Sequence, residues 1–216
     1  MYSFSPYHDQ SDLPNFDTAA TTFSYAQLFR SRRFSGGDRL EDANQLSIGI
    51  SSRWSNIDTG IERFRASIGE VFYFRDRKVQ LNATDPIATA SSSGLVGELA
   101  ANVSNDWTST ADALWTADGD LSQFGLQLHY LPNNYTRLFN VGYSFRREVQ
   151  ALNQKELRQT NLSFVQPVND NWQLIGLWQY DFLNKETPEA LIGTTYESCC
   201  WQVSVYRRQF LADVDN

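Results

Sequence analysis

Gln123-Phe124-Gly125-Leu126-Gln127-Leu128-His129-Tyr130 places a bulky apolar residue at every second position and a small or polar one between. Successive side chains of a β-strand point to opposite faces, so this stretch predicts a strand with one apolar and one polar side. The same period continues outward in both directions. Phe139, Val141, Tyr143 and Phe145 oppose Asn140, Gly142, Ser144 and Arg146. Upstream, Leu46, Ile48, Ile50 and Trp54 oppose Ser47, Gly49, Ser51 and Arg53. Phe64, Ala66, Ile68, Phe72 and Phe74 hold alternate places, broken only by Glu70. Similar segments run Leu95–Val103, Trp107–Trp115, Leu157–Gln166, Trp172–Phe182, Ala190–Tyr196 and Cys200–Phe210. From Gln45 onward this amounts to roughly ten antiparallel strands in sequential pairing.

Tight turns such as Ser104-Asn105-Asp106, Ala117-Asp118-Gly119-Asp120 and Asn169-Asp170-Asn171 separate some strands, while longer stretches at Arg75–Ser93 and Arg147–Glu156 separate others. Alternating short and long connections fit an up-and-down transmembrane barrel with short periplasmic turns and longer outer loops. The 216 residues carry 25 Asp and Glu against 18 Lys and Arg, a net charge of −7 that argues against a nucleic-acid partner. Aromatic residues make up 14%, which excludes a disordered chain. A mean hydropathy of −0.45 and no long apolar run exclude a transmembrane helix but leave strand-built membrane proteins open.

Soluble sheets alternate too, so a soluble antiparallel β-domain binding carbohydrate on exposed aromatics is the alternative. The polar faces are small and neutral, as in a wet lumen. Trp54, Trp107, Trp115, Trp172 and Tyr130 fall at segment ends, where interfacial girdles place amphipathic rings. Both favour a partial transmembrane β-barrel with unpaired edges and long extracellular loops. Residues 1–44 read as one long extracellular loop region, and residues 45–216 as barrel strands. Ser24 to Phe29 can form a short helix capped by Ser24. The opening Met1-Tyr2-Ser3-Phe4-Ser5-Pro6 has neither the basic nor the apolar region of a signal peptide, so a protein working outside the cytoplasm is expected to be part of a longer one.

Ser35-Gly36-Gly37-Asp38-Arg39-Leu40-Glu41-Asp42-Ala43-Asn44-Gln45-Leu46 resembles a signature of the LptD family, the lipopolysaccharide (LPS) assembly proteins of the outer membrane. The stretches Glu62-Arg63-Phe64, Ser67 to Phe74, Tyr196-Glu197-Ser198-Cys199-Cys200-Trp201, and Pro6 to Asp17 agree with it, in order along nearly the whole chain. The resemblance implies an outer-membrane barrel, no enzyme, that receives LPS from a periplasmic bridge and inserts it into the outer leaflet. It implies closure by first and last strands that part laterally, the lipoprotein LptE as lumen plug, and contact with the bridge protein LptA through a preceding jellyroll. That jellyroll, the early strands and the last strands are missing here, as in a C-terminal fragment.

Cys199 and Cys200 are the only cysteines. Neighbouring Cα atoms lie about 3.8 Å apart, short of the roughly 4.4–6.8 Å a disulfide spans, so the pair should not close on itself. They are either reduced thiols at a strand start, with side chains on opposite faces, or bonded to cysteines outside this chain. The resemblance implies the second, with partners in the N-terminal region. Arg30, Arg32 and Arg33, then Arg75, Arg77 and Lys78, then Arg146 and Arg147, and finally Arg207 and Arg208 form basic clusters. Each is either a solvated rim or a contact for LPS phosphate, which a guanidinium binds in bidentate fashion. His129 lies on a polar strand face and reads as a lumen residue. No nucleophile–base set, metal ligand set, phosphate loop or cofactor is expected.

Overall fold

The computed structural model describes residues 1–30, 32–82, 85–132, 136–148 and 155–211. Thirteen strands are assigned: β1 (Tyr2–Ser5), β2 (Ala19–Ala20), β3 (Phe34–Ser35), β4 (Ala43–Ser55), β5 (Glu62–Tyr73), β6 (Val96–Asn102), β7 (Trp107–Trp115), β8 (Leu121–Tyr130), β9 (Leu138–Arg146), β10 (Leu157–Pro167), β11 (Trp172–Asp181), β12 (Glu189–Glu197) and β13 (Gln202–Phe210). Eleven form a single sheet in the order β1-β4-β5 and onward to β13, each pair antiparallel. This is the sequential pairing the alternation predicts. β1 and β13 do not pair with one another, so the sheet is an open wall.

Register keeps the two faces separate across the wall. Ile50 faces Ile68, Ala113 faces Phe124, Leu126 faces Tyr143, and Leu162 faces Trp178 on one side. On the other, Ser51 faces Ser67, Thr108 faces His129, His129 faces Asn140, and Asn140 faces Ser163. A one-residue slip in any pair would interchange these sets, which fixes the register.

All connections at one end are short: residues 56–61, 103–106, 131–137, 168–171 and 198–201. The other end carries 6–42, 74–95, 116–120, 147–156 and 182–188. Residues 83–84, 149–154 and the acidic end from 212 lie outside the described residues.

The expectation of one loop over residues 1–44 is corrected at its edges. Tyr2–Ser5 is a sheet strand on β4, and β4 already begins at Ala43. A four-residue strand is too short to stand out from its Ser and Pro neighbours, and only pairing with β4 reveals it. Between these strands, β2 and β3 form a small ribbon, and Tyr25–Gln27 forms one 3-10 turn after Ser24. Ser24 occupies the cap position in extended backbone but makes no side-chain capping bond, so the cap contributes little.

Candidate functional site: a two-faced wall with an inward-folded loop

The apolar face ends in aromatic girdles. Along the short-turn end, Trp54 packs on Phe64 at 5.0 Å, Trp107 on Tyr130 at 4.7 Å, and Trp172 on Tyr196 at 5.0 Å. Tyr196 in turn meets Trp201 at 4.9 Å. Towards the opposite end, Phe124, Tyr143, Phe182 and Tyr180 form a second connected row. Trp172 and Tyr180 are eight residues apart on β11, which at about 3.3 Å per residue and a tilt near 40° separates the rows by roughly 20 Å, close to the apolar band of a barrel. Leu99, Leu126, Ile192 and Val205 are exposed on this band.

The opposite face is wet and hydrogen-bonded. Ser51 and Ser67 hydroxyls meet at 2.9 Å, and Thr195 meets Ser204 at 2.9 Å. Arg65 links Glu62 at 3.6 Å and Glu98 at 3.5 Å. The His129 ring lies 2.7 Å from Asn140, whose amide donates to the Ser163 hydroxyl at 3.0 Å. His129 is thus one link in a polar ladder that also includes Gln127, 3.2 Å from its other ring nitrogen.

One patch of the polar face is apolar, and the loop from 6–42 covers it. Gly49 and Gly69 face each other across β4 and β5. Leu28 sits over them with 0% exposure and meets buried Val71 and Val96, with Phe23, Tyr25, Tyr73 and Leu114 packed around. A Cβ on Gly49 would fall 2.9 Å from both Leu28 Cδ2 and Phe29 Cζ, so the glycine provides the notch that receives the turn. The long loop therefore folds inward onto the lumenal face.

The acidic and basic residues of the Ser35–Leu46 stretch hold that loop together. The Asp38 carboxylate accepts the backbone N–H groups of Phe16 and Asp17, both at 2.8 Å. These bonds hold its pKa below the ordinary carboxylate value. Buried Arg39 donates to the Leu13 carbonyl at 2.8 Å. Asp42, 1% exposed, accepts from the N–H groups of Lys78 at 2.9 Å and Val79 at 3.0 Å, and lies 3.7 Å from Arg33 Nη2. Glu41 accepts from the Arg33 N–H at 2.7 Å, yet burial pushes its carboxyl above the ordinary value. This stretch clamps residues 13–18, 33 and 78–79 to one another.

The basic clusters fare unequally. Arg33 also donates to the Val79 carbonyl at 2.9 Å, and burial together with the charge of Arg77 pulls its pKa down. Arg75 donates to the Ser5 carbonyl and stands over the Phe4 ring. Arg77 covers the Tyr73 ring at 3.6 Å and donates to the Ala90 carbonyl. Arg146 donates to the Lys155 carbonyl, and Arg147 pairs with Asp120 at 3.1 Å. Arg30 and Arg32 are exposed, and the charge of Arg32 also reaches the Glu41 carboxyl. Arg33, Arg75 and Arg77 are thus internal fasteners, whereas the Arg147–Asp120 pair is exposed. Sequence reading missed the lumenal patch, for which the glycines at 49 and 69 on the neighbouring strands β4 and β5 were a local signal.

Cys199 and Cys200 are not in a strand, a correction to the expected opposite-facing pair. They lie in the β12–β13 turn on the short-turn end, free and exposed, with sulfurs 3.0 Å apart. The chain reverses there between Glu197 and Gln202, and a reversing backbone loses the strict alternation that the forecast assumed. The hydrogen bond from Cys200, with Ser198 assisting, lowers the pKa of Cys199, and the same contact raises that of Cys200.

An open antiparallel wall with an apolar outer band between aromatic girdles and a polar inner face is part of an outer-membrane β-barrel. A soluble sheet would have no use for such a band, and the carbohydrate-binding alternative loses its basis. The family model for LPS transport system D, LptD, matches residues 1–172. Over the full chain it is 42% identical to the LPS-assembly protein LptD of Acinetobacter baumannii and 41% to that of Acinetobacter baylyi, covering 26% of each. It is 36% identical to the LPS-assembly protein LptD of Hahella chejuensis, again over the whole chain and 26% of the relative. The chain belongs to the LptD family and spans about a quarter of the length of these relatives.

Proposed function

We propose that this chain forms part of the barrel wall, and the inner seal at the long-loop end, of a machine that assembles LPS into the outer leaflet of the outer membrane. The observation that carries the reading is the family membership along a wall whose lumenal face is closed over by its own loop. The role is scaffolding and conducting, with no reaction catalysed. The apolar band anchors the wall in the bilayer, and the polar ladder lines the route and seats a plug protein, for which the family resemblance points to the lipoprotein LptE. The periplasmic bridge protein LptA would act through a preceding domain. Residues 1–44 then belong to the outer side, together with the other long connections.

Cys199 and Cys200 would bond to cysteines elsewhere in the complete protein. Their exposed turn lies at the short-turn end, where a periplasmic domain can reach it, and that compartment permits disulfides. Arg30 and Arg32 are the best placed of the clusters to meet LPS phosphate, because both are exposed. Depleting the protein in its own organism tests the function. Surface LPS, assayed with an outer-leaflet sugar-modifying enzyme on intact cells, is expected to fall and to return when the protein is restored. Unchanged surface LPS would overturn the proposal.

A further inference from the structure

Glu70 interrupts the apolar face of β5 between Ile68 and Phe72, opposite Ile48 in register. It has β4 on one side and β6 on the other, yet it makes no hydrogen bond or ion pair among the described residues. An ionisable side chain facing lipid is costly, and such groups point to a function. Register fixes its depth. Trp54 and Phe64, in the short-turn girdle, lie on one register row that runs through Ala101, Leu128 and Leu162 to Trp178. Trp178 stacks on Tyr180 in the long-loop girdle, so register rows climb from one girdle to the other between β4 and β11. Glu70 stands six residues beyond Phe64 on β5. At about 3.3 Å per residue and a tilt near 40°, it lies roughly 15 Å from the short-turn girdle and about 5 Å inside the long-loop one.

Next to Glu70, on the side of Ile68, an apolar hollow of about 720 Å³ opens on the same face. It begins at Phe124, a member of the long-loop girdle, and follows the register row Phe124–Ala113–Gly97–Ile68–Ile50. That row crosses four strand spacings, about 19 Å, and at the same tilt descends by about 12 Å, half of an apolar band of roughly 25 Å. The hollow thus has the depth of one leaflet. Gly97 and Ala113 keep its floor low, and the Trp115 ring leans over it, since a Cβ on Gly97 would lie 3.4 Å from Trp115 Cζ3. Ile50 and Ile68 remain 72% and 44% exposed, so no part of the chain fills it. All five strands of the row lie inside the sheet.

We infer that Glu70 and this hollow seat one phospholipid whose headgroup carries a primary ammonium, with an acyl chain in the hollow and the ammonium on the Glu70 carboxylate. The hollow lies within the band that bilayer chains cover and is one leaflet deep, which selects a membrane lipid over a protein segment. The acid at its rim selects a headgroup with a cationic donor and disfavours one that brings negative charge alone. The leaflet is the one at the long-loop end, which rests on the proposed function above to be the outer one. The lipid is held against the outside of the wall, apart from any route through the lumen.

The test uses the complete natural protein in bilayer nanodiscs holding equal phosphatidylethanolamine and phosphatidylglycerol. A photocrosslinking phenylalanine analogue is placed at Leu95, which continues the β5–β6 register towards Glu70, or at Ile192 as a control elsewhere on the band. Adducts at position 95 are expected to favour the ethanolamine lipid about tenfold, the effect of one charge-assisted contact, and adducts at 192 to favour neither. Glu70→Gln should abolish the preference and Glu70→Asp should largely keep it. Ala113→Leu, which fills the floor, should lower the preference with the acid intact. Equal adducts at 95 in the natural protein, a preference that survives Glu70→Gln, or one that Ala113→Leu leaves untouched would each overturn the inference. Displacement of the ethanolamine lipid by added LPS with magnesium would overturn it too, by showing a metal-bridged phosphate in place of an ammonium. Only protein with the heat-modifiable mobility of a folded barrel is counted, and the aspartate variant separates a folding defect from a lost contact. LPS delivery does not enter this readout, so its failure refutes the lipid seat alone, whereas the wider function fails on surface LPS.

Discussion

Truncating Leu28 to alanine should release the inward-folded loop while leaving the wall standing. Leu28 is fully buried against Val71 and Val96, and the change removes three carbons from that contact. At about 0.8 kcal/mol per buried carbon the transfer loss is about 2.4 kcal/mol, and the residual cavity moves the total into the range of about 2–5 kcal/mol. The docked state of the turn would therefore lose a factor of about 30 in its equilibrium even at the lower figure. Hydrogen exchange reads this directly. The N–H groups of Gln27, Leu28 and Arg30 donate within the turn to Ser24, Tyr25 and Gln27. Their exchange should accelerate by about that factor, whereas amides in β8 to β11 should keep their protection. Gly49→Ala attacks the same contact from the wall, with a methyl 2.9 Å from Leu28 and Phe29, and should cost about 1–3 kcal/mol. Unchanged exchange over residues 24–30 in a folded Leu28→Ala protein would refute the docking argument. Uniform acceleration across every strand would refute its locality.

Gly36 has φ +82°, and a Cβ there would lie 2.6 Å from Asp17 Oδ1, so Gly36→Ala should loosen residues 14–18 and make them susceptible to limited proteolysis. Asp38 has a depressed pKa, so its contribution is present above the ordinary carboxylate value near 3.8 and is lost as pH falls through the lower folded value. Glu41 is raised by burial, so its contribution runs the other way, present in acid and lost as pH rises from about 4.5 through the folded value; loop protection in Glu41→Gln should therefore lose that decline, measured by exchange against pH. In reduced protein Cys199 should be alkylated before Cys200, and Cys200→Ala should slow it; equal rates at both thiols would contradict the hydrogen bond that favours the Cys199 thiolate.

The period of two made the wall legible from residue order alone. Each of the strands from β4 to β13 carries its own alternation, and antiparallel neighbours joined by short turns have little freedom except to pair in sequence. The terminal tryptophans were readable for the same reason, since their place in a strand is set by chain position. Contacts between distant segments were not readable. Leu28 looks like any loop leucine until Gly49 and Gly69 are brought face to face, and Arg33 looks like a free rim cation until Asp42 and Val79 close on it.

Sequence by itself determined the two-faced strands, their order and the family, because these depend on local alternation and on residues adjacent in the chain. Only the tertiary structure decided which arginines are fasteners, that the cysteines occupy a turn, and that the long loop folds onto the lumenal face. Those outcomes depend on burial and on partners tens of residues away, such as Asp42 with Val79, and burial decides whether a charge is paired or left to meet a ligand.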